Sequence, residues 1–288
     1  MTDIVKQKKR DKKLDKKIHR YIRIAIQLLF FFWMPSLFTA AFAGIKYVAG
    51  QLGAGELIEP TAFVKVLVML LLYTMLFGRF FCGYACAFGS LGDGVYALSE
   101  LVQKRVKRKL PSIPLKVRYK LRYLKFAVLF LILILCFLGI YGNFRGTSPW
   151  DVFSKVSVAN FELAGYGIGI GILVAILIGM CVQKRFFCRF LCPMGAVFAI
   201  TPILPFSILK RDRSACINKC TRCIQNCPAD LEIQGDSPTS GECFMCGVCI
   251  DACPKANLHL TQKVKGNEIW LVLLKAGILL AGCLVLGV

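Results

Sequence analysis

The stretch Arg79–Gly89, RFFCGYACAFG, recurs 106 residues later as Arg185–Gly195, RFFCRFLCPMG. Both copies share the RFFC start, a second cysteine four positions on and the closing glycine, in register. Each copy is preceded, in order, by a group of basic residues, an apolar run, a linker and a second apolar run. This pattern predicts two parallel repeats, each with two membrane spans and a CxxxC pair at its inner end. The segments after the pairs, Phe88–Leu98 and Met194–Leu209, are too short to cross and are expected to be interfacial or re-entrant.

The composition of the whole chain is that of a membrane protein. Of the 288 residues 57% are hydrophobic, and 37 basic residues against 16 acidic ones give a net charge of +21. The mean hydropathy is +0.62, which excludes an ordinary soluble enzyme domain. A bilayer crossing needs roughly 20 apolar residues. The candidate spans are Ile24–Ala43, Phe63–Phe81, Phe126–Tyr141, Gly165–Val182 and Ile269–Val288.

Basic residues give these spans an orientation. Residues 1–23 contain ten Lys and Arg, and residues 99–125 contain another ten, whereas residues 44–60 and 143–163 together contain three. The positive-inside rule then places the N-terminus and both CxxxC pairs on the cytoplasmic side of the inner membrane, with the C-terminus outside. The basic runs flank spans and lack interleaved aromatic residues, so they favour anionic lipid rather than nucleic acid as the partner.

A second cysteine-rich region follows the duplication. Its two runs, each ending in Cys-Pro, are spaced Cx3Cx2Cx3CP and Cx2Cx2Cx3CP, and the second is the run of bacterial ferredoxins. In two-cluster ferredoxins the fourth cysteine of each run ligates the other cluster. This rule predicts one 4Fe-4S cluster on Cys216, Cys220, Cys223 and Cys253, and a second on Cys243, Cys246, Cys249 and Cys227. Structural zinc is the alternative, but eight cysteines with two Cys-Pro endings exceed what a zinc ribbon uses.

The cysteines of the duplication suggest a further centre. If each CxxxC is helical, its thiols lie on one face, and two such faces can meet about an axis along the membrane normal. Four desolvated thiolates need a cation. We hypothesise a shared metal centre, an additional iron–sulfur cluster, on Cys82, Cys86, Cys188 and Cys192. The alternatives are two independent thiol or disulfide pairs, or neutral buried thiols that only pack.

Other redox cofactors have no signature in the sequence. There is no GxGxxG fingerprint for a nucleotide, and the two histidines, His19 and His259, are not spaced to hold a haem across a bundle. Electrons must therefore be exchanged with quinone or with another protein. Polar groups considered for a quinone site are His19, Arg79, Asp93 and Arg185 inside, and Glu56, Glu59, Trp150 and Asp151 outside. The two arginines are expected instead to anchor helix ends near lipid phosphates.

These features together resemble the NapH-type family of membrane-bound quinol dehydrogenases over about residues 20–260. The same plan occurs in the membrane regulators of nitrous oxide reductase and in the accessory cupric reductase of cytochrome oxidase assembly. The resemblance implies electron passage between the quinone pool, the iron–sulfur clusters and a partner redox protein, conceivably an external one. Family members usually have proline after both CxxxC pairs. Pro193 matches this pattern, and Ala87 departs from it.

The predicted fold is an α-helical membrane protein with two parallel two-span repeats, a fifth span and an inserted ferredoxin-like domain. The predicted function is a membrane electron-transfer subunit of a quinol dehydrogenase complex. A cupric or other metal-ion reductase and a redox-sensing regulator are the alternatives. The predicted parts are a basic N-terminus (1–23), a first membrane repeat (24–98), a basic cytoplasmic loop (99–125), a second membrane repeat (126–209), a cytoplasmic two-cluster ferredoxin domain (210–262) and a C-terminal span (269–288).

Overall fold

The chain is largely helical in the computed structural model, and its described residues form one two-stranded sheet. The model describes residues 2–111, 113–144, 146–157, 159–204, 209–211, 214, 216–217, 220–231, 241–255, 257–260 and 268–287. The helices are α1 Thr2–Trp33, α2 Leu37–Ala54, α3 Ala62–Phe77, α4 Ala87–Val106, α5 Leu115–Leu121, α6 Leu124–Phe137, α7 Pro149–Ser157, α8 Gly167–Val182, α9 Phe186–Phe190, α10 Pro193–Ile200, α11 Arg222–Gln225, α12 Val248–Ala252 and α13 Glu268–Leu286. A π-helical turn spans Phe81–Ala85 and a 3-10 turn spans Ile140–Phe144. Strand β1, Leu209–Arg211, pairs antiparallel with β2, Leu258–Leu260.

The order of these elements repeats along the chain. Helices α1, α2 and α3, the π-helical turn and α4 correspond in sequence to α6, α7, α8, α9 and α10. Within the repeats α2 packs on α3 and α7 on α8, while α4 of the first repeat packs on α8 of the second and α2 packs on α6. The two repeats therefore interlock. Their buried core continues through both cysteine motifs into the ferredoxin region.

The first predicted span, Ile24–Ala43, is not a single helix. Helix α1 ends at Trp33 and α2 begins at Leu37, and the two helices bend by 61° across the break. Pro35 lies in this break, and proline cannot donate the backbone hydrogen bond that a continuous helix needs. The second repeat has a break at the corresponding place, the 3-10 turn between α6 and α7.

The five-span layout remains a prediction. Within the described ranges α13 alone is long and apolar enough to cross a membrane by itself, and the bent pair α1–α2 would be a second span. Helices α3, α6 and α8 have 16, 14 and 16 residues. At 1.5 Å per residue each rises about 24 Å or less, against a hydrocarbon core of roughly 30 Å. Their outward faces are nonetheless apolar, with Leu72, Phe130 and Ile178 all more than half exposed.

A segment predicted to be interfacial or re-entrant and a segment predicted to be a basic cytoplasmic loop both contain helix. Phe88–Leu98 lies inside the 20-residue helix α4, and the predicted basic loop 99–125 continues α4 to Val106 and contains α5. Small and apolar residues at the start of α4 are buried, whereas Lys104 and Arg105 in its last turn are exposed. An amphipathic helix that leaves the core for solvent explains both observations. Lys275 in α13 faces protein, with only 2% of its surface exposed.

Candidate functional site

The four cysteines of the duplication lie together where the repeats meet. Cys82, Cys86, Cys188 and Cys192 are each only 4–6% exposed. The Cys192 thiol interacts electrostatically with the other three, and the Cys86 thiol interacts with Cys82 and Cys188. The structure thus brings together the four side chains that we hypothesise to share one centre.

Each CxxxC pair combines a short helical turn with a helix N-terminus. Cys82 lies in the π-helical turn and Cys188 in α9, whereas Cys86 and Cys192 are the N-cap residues of α4 and α10. The backbone N–H of Gly195 donates to Sγ of Cys192 at 3.2 Å, and Cys86 has the corresponding backbone contact. The expectation that both thiols of a pair share one helical face is therefore wrong. The chain leaves the helical conformation between them, and a helix N-terminus then favours negative charge on the second sulfur.

Ala87 does not alter the first pair. The backbone angles of Cys86 are φ −70° and ψ 121°, and those of Cys192 are φ −71° and ψ 113°. Ala87 and Pro193 both occupy the first helical position, where proline is favoured because no N–H is needed there. Alanine adopts the same conformation, so the second cysteine of each motif keeps the same backbone geometry.

Arg79 and Arg185 each pack against the CxxxC motif of the other repeat, and we call them the exchanged arginines. Arg185 donates to backbone carbonyl oxygens of the first motif, including that of Gly83 at 3.1 Å. A Cβ atom added to Gly89 would lie 2.9 Å from Nη1 of Arg185, and one added to Gly195 would lie 3.0 Å from Nη2 of Arg79. Each glycine therefore leaves room for the arginine of the other repeat. Both arginines are at most 1% exposed, so the expectation that they anchor helix ends at lipid phosphates is wrong.

Asp93 of α4 neutralises Arg185. Nε of Arg185 donates to Oδ1 of Asp93 at 3.0 Å and Nη2 donates to Oδ2 at 2.6 Å, while Arg23 donates to Oδ2 at 2.8 Å. Burial opposes a charge on Asp93, but the two arginines more than offset it, so the pKa of this carboxyl lies well below its usual range. Burial likewise opposes the Arg185 charge, and contact with Asp93 nevertheless raises the Arg185 pKa. These two quinone-site candidates are thus engaged in a buried ion pair.

The positive charge of Arg79 is only partly balanced by acceptors from the protein. Its Nη1 donates to Oε2 of Glu242 at 3.2 Å, and Lys125 also pairs with this carboxylate. Among the described residues Nε and Nη2 of Arg79 have no partner at ordinary hydrogen-bond geometry. The Cys82 and Cys192 thiols lie within electrostatic range of the guanidinium. Buried cationic donors beside thiols suit an anionic ligand, which a thiolate-bound iron–sulfur cluster is.

We expect Gly89→Ala to destabilise the protein by about 1–3 kcal/mol, because the new methyl group overlaps the Arg185 guanidinium and the Cys82 carbonyl oxygen, each 2.9 Å away. Gly94→Ala in the same helix is the matched control, since nothing lies within 4 Å of its Cβ position. That change should be neutral or stabilise by up to about 1 kcal/mol. Unfolding of the purified variants in detergent measures both. Equal stability of the two variants would contradict the exchanged-arginine packing.

The structure also brings together the cysteines predicted for the second ferredoxin cluster. The Cys249 thiol interacts electrostatically with Cys246, Cys243 and Cys227. Burial, and then the neighbouring Cys246, raises the pKa of Cys243 to about 12. Thiolates buried in this way need a cationic partner, which cluster iron supplies.

The cysteines predicted for the first ferredoxin cluster line one pocket at the protein surface: Cys216, Cys220, Cys223 and Cys253. Asn257 connects the two ends of this set, since its backbone N–H donates to Sγ of Cys253 at 3.4 Å and its Nδ2 lies 3.8 Å from Sγ of Cys216. Cys253 therefore lies beside the cysteines of the first run, which is the grouping that the crossed rule predicts.

None of the fifteen cysteines forms a disulfide. In the described part of the chain no three His, Cys, Asp or Glu side chains approach closely enough to share a single metal ion. A cubane takes one thiolate at each of its four irons, so its ligands stand farther apart than those of one ion. Both cysteine sets of the ferredoxin region and the set of the duplication match that donor chemistry.

The ferredoxin region packs directly on the duplicated motifs. The ring of Phe244 lies between the exchanged arginines, with its centroid 4.9 Å from Arg79 and 5.4 Å from Arg185. A Cβ atom on Gly83 would lie 2.4 Å from the Phe244 carbonyl oxygen and 3.5 Å from Cα of Cys246. Sequence reasoning missed Phe244 and the neighbouring Glu242. The sequence did contain a signal for Phe244. It is a large aromatic residue between two cluster cysteines, and a small ferredoxin loop does not need such a side chain to bind its cluster.

The remaining quinone-site candidates separate into two places. His19 contacts Asp251 through Nδ1 at 3.0 Å and the Tyr84 hydroxyl through Nε2 at 3.3 Å, and it lines a narrow cleft beside the ferredoxin region. On the other side, Asp151 and Lys46 line an open pocket of about 410 Å³. The other outer candidates do not join this pocket: Trp150 is buried in an aromatic cluster, and Glu56 and Glu59 are exposed. The His259 side chain lies outside the described residues.

Comparison with known proteins identifies the family. Residues 60–111 and 166–204 match a family model described as a 4Fe-4S binding domain. An uncharacterized protein of Methanocaldococcus jannaschii is 32% identical over 252 residues, which is 85% of this chain and 96% of the relative. The ferredoxin-type protein NapH of Escherichia coli is 25% identical over 225 residues, 74% of this chain and 72% of the relative. The chain belongs to the NapH-type family.

A further NapH-type relative is the methylamine utilization ferredoxin-type protein MauN of Paracoccus denitrificans, 29% identical over 181 residues, 61% of this chain and 57% of the relative. No solved structure matches the chain. The two segments that match the 4Fe-4S model contain the CxxxC pairs and end before Cys216. This NapH-type chain is therefore an iron–sulfur protein with a role in electron transfer.

Proposed function

We propose that the chain is a multi-span inner-membrane subunit that holds three iron–sulfur centres and exchanges electrons with the quinone pool. The observation that carries this proposal is the direct packing of the Cys243–Cys249 loop on the first CxxxC motif, with Phe244 between the two exchanged arginines. Three cysteine sets then follow one another, from the protein surface to the buried interface between the repeats.

Each part of the chain has a distinct role in this proposal. The surface and inner sets of the ferredoxin region hold one 4Fe-4S cluster each, and the four cysteines of the duplication hold the third centre. When bound, such clusters carry one electron at a time. Arg79, whose charge the protein only partly balances, would supply fixed positive charge beside the third set, and this charge would favour the anionic, reduced form of the centre. Burial of all four thiols keeps water away.

The membrane arrangement in this proposal has five spans, with the N-terminus and the ferredoxin region in the cytoplasm and the C-terminus outside. The basic residues before α2 and between the repeats support this orientation. The apolar outward faces of α3, α6 and α8 support it as well. The short helices then require a thinned bilayer or flanking interfacial residues.

The alternative functions have less support. A cupric reductase needs thiols that an ion can reach, whereas the CxxxC thiols are 4–6% exposed. No described feature favours a redox-sensing regulator. For quinone, the open pocket at Asp151 and Lys46 and the His19 cleft each join polar groups to apolar walls, which is the character of small-molecule sites.

We expect dithionite-reduced protein in lipid nanodiscs to be reoxidised by soluble menaquinone or ubiquinone analogues faster than by Cu(II). The measurement is the recovery of cluster absorbance under anaerobic conditions. Heat-unfolded protein of equal iron content is the control for reaction with released iron. Failure with every quinone, together with rapid reoxidation by Cu(II), would favour the metal-reductase alternative.

A further inference from the structure

The two cysteine sets of the ferredoxin region differ in their access to solvent. Cys216 and Cys220 are exposed, whereas Cys243, Cys246 and Cys249 are buried. The surface set lies in a pocket whose lining also includes Arg211, Ile217, Arg222 and Lys255. We call these eight residues the cluster I face: Arg211, Cys216, Ile217, Cys220, Arg222, Cys223, Cys253 and Lys255. An electron carrier that meets the protein from solution reaches this set first.

The cluster I face is positively charged. None of the described residues that line its pocket is acidic. Arg222 and Lys255 are exposed and belong to no ion pair within the described part of the chain. Among the described acids of the neighbouring segments, Asp230 pairs with Arg118 and Arg189, and Asp251 contacts His19.

We propose that the cluster I face docks a small acidic protein that carries single electrons, which presupposes the cluster proposed above at Cys216, Cys220, Cys223 and Cys253. The face combines the exposed side chain of Ile217, 48% accessible, with the three cations Arg211, Arg222 and Lys255. Apolar surface together with charged residues is typical of a transient interface. Complementary charge speeds encounter and orients the partner without making the complex long-lived.

The reaction at this face is a simple exchange of one electron. The reduced centre of the carrier loses one electron and the cluster at the surface set gains it, or the reverse, with no bond made or broken and no proton moved. Anionic lipid would also be attracted by the three cations. Binding of lipid would not explain why an exposed cysteine set shares this pocket with the cations, however, and other basic segments, such as Lys104 and Arg105 on α4, are available to lipid.

The test uses the full-length protein in nanodiscs of neutral lipid and a small acidic bacterial ferredoxin as the probe. Stopped-flow absorbance measures the second-order rate of electron exchange between about 50 and 300 mM salt. We expect the double variant Arg222→Glu/Lys255→Glu to lower the rate at low salt at least about tenfold and to abolish its salt dependence. The double variant Lys104→Glu/Arg105→Glu, of identical charge change, should alter it less than about twofold.

Electron paramagnetic resonance of each variant separates the possible failures. Missing cluster signals in the wild type would contradict the proposed function itself. Clusters present in all variants, with equal rates at low salt, would overturn the docking proposal alone. So would a basic carrier, cytochrome c, that reacts as fast as the acidic ferredoxin. Loss of binding to anionic vesicles in the Arg222/Lys255 variant, with unchanged rates, would assign the face to lipid instead.

Discussion

Replacing Cys188 by alanine in the full-length chain removes one iron–sulfur centre and leaves the two of the ferredoxin region. We expect about four of about twelve irons per polypeptide to be lost, with a matching loss of acid-labile sulfide. The reason is that Cys188 lies within electrostatic range of the other motif cysteines at the repeat interface. Iron and sulfide assays after anaerobic purification, with electron paramagnetic resonance of the reduced protein, measure the effect.

Cys181→Ala is the matched control for this experiment. Cys181 lies near the end of α8, seven residues before Cys188, and belongs to none of the three cysteine sets. Its replacement should leave the iron content and the spectra unchanged. Full iron in the Cys188 variant, or equal loss from both variants, would refute the third centre. The full-length chain is required because Glu242 and Phe244 of the ferredoxin region cover Arg79, so a truncation would expose a buried charge.

Replacing Asp93 by asparagine should have the largest effect on stability, about 3–5 kcal/mol. The change leaves Arg185 fully buried without its carboxylate partner and removes the pair with Arg23. Thermal or denaturant unfolding in detergent, followed by circular dichroism, measures this loss. Asp151→Asn is the control, because the Lys46–Asp151 pair is 3.9 Å apart and Asp151 is 37% exposed. Its loss should cost at most about 1 kcal/mol.

The same carboxylate predicts a pH dependence. Because the pKa of Asp93 is lowered on folding, its contribution is fully present above the unfolded value of about 3.9 and is lost as the pH falls through the folded value. The stability difference between wild type and Asp93→Asn should therefore shrink below about pH 4. A difference that stays constant down to pH 2, or that never exceeds that of Asp151→Asn, would contradict a structural role for the pair.

The sequence predicted which cysteines would gather, because the information lay in spacing and repetition. The in-register RFFC motifs gave the four cysteines of the repeat interface. The ferredoxin spacing predicted that Cys253 would accompany Cys216 and that Cys227 would accompany Cys249. In the structure the first two line one pocket and the second two interact electrostatically. These groupings depend on short loops, whose reach is fixed by the number of residues between ligands.

The contacts that sequence reasoning missed are long-range. Nothing in a local pattern shows that Arg185 crosses to Gly89 of the other repeat, or that Glu242 pairs with Arg79 and Lys125. From sequence alone, an arginine at a helix end is interpreted as an interfacial anchor, because its partner in the folded chain is unknown. Pro35, by contrast, was a helix-breaking signal inside the first apolar run. The span was nevertheless predicted as continuous because its hydrophobicity was the only criterion applied.

The metal content of the wild-type chain decides whether a third iron–sulfur centre joins those of the ferredoxin region. The measurement is iron and acid-labile sulfide per polypeptide after anaerobic purification, with integrated electron paramagnetic resonance of the fully reduced protein. We expect about twelve of each and three reducible centres. About eight of each, with two centres and four titratable thiols that include Cys82 and Cys188, would rule out the third centre.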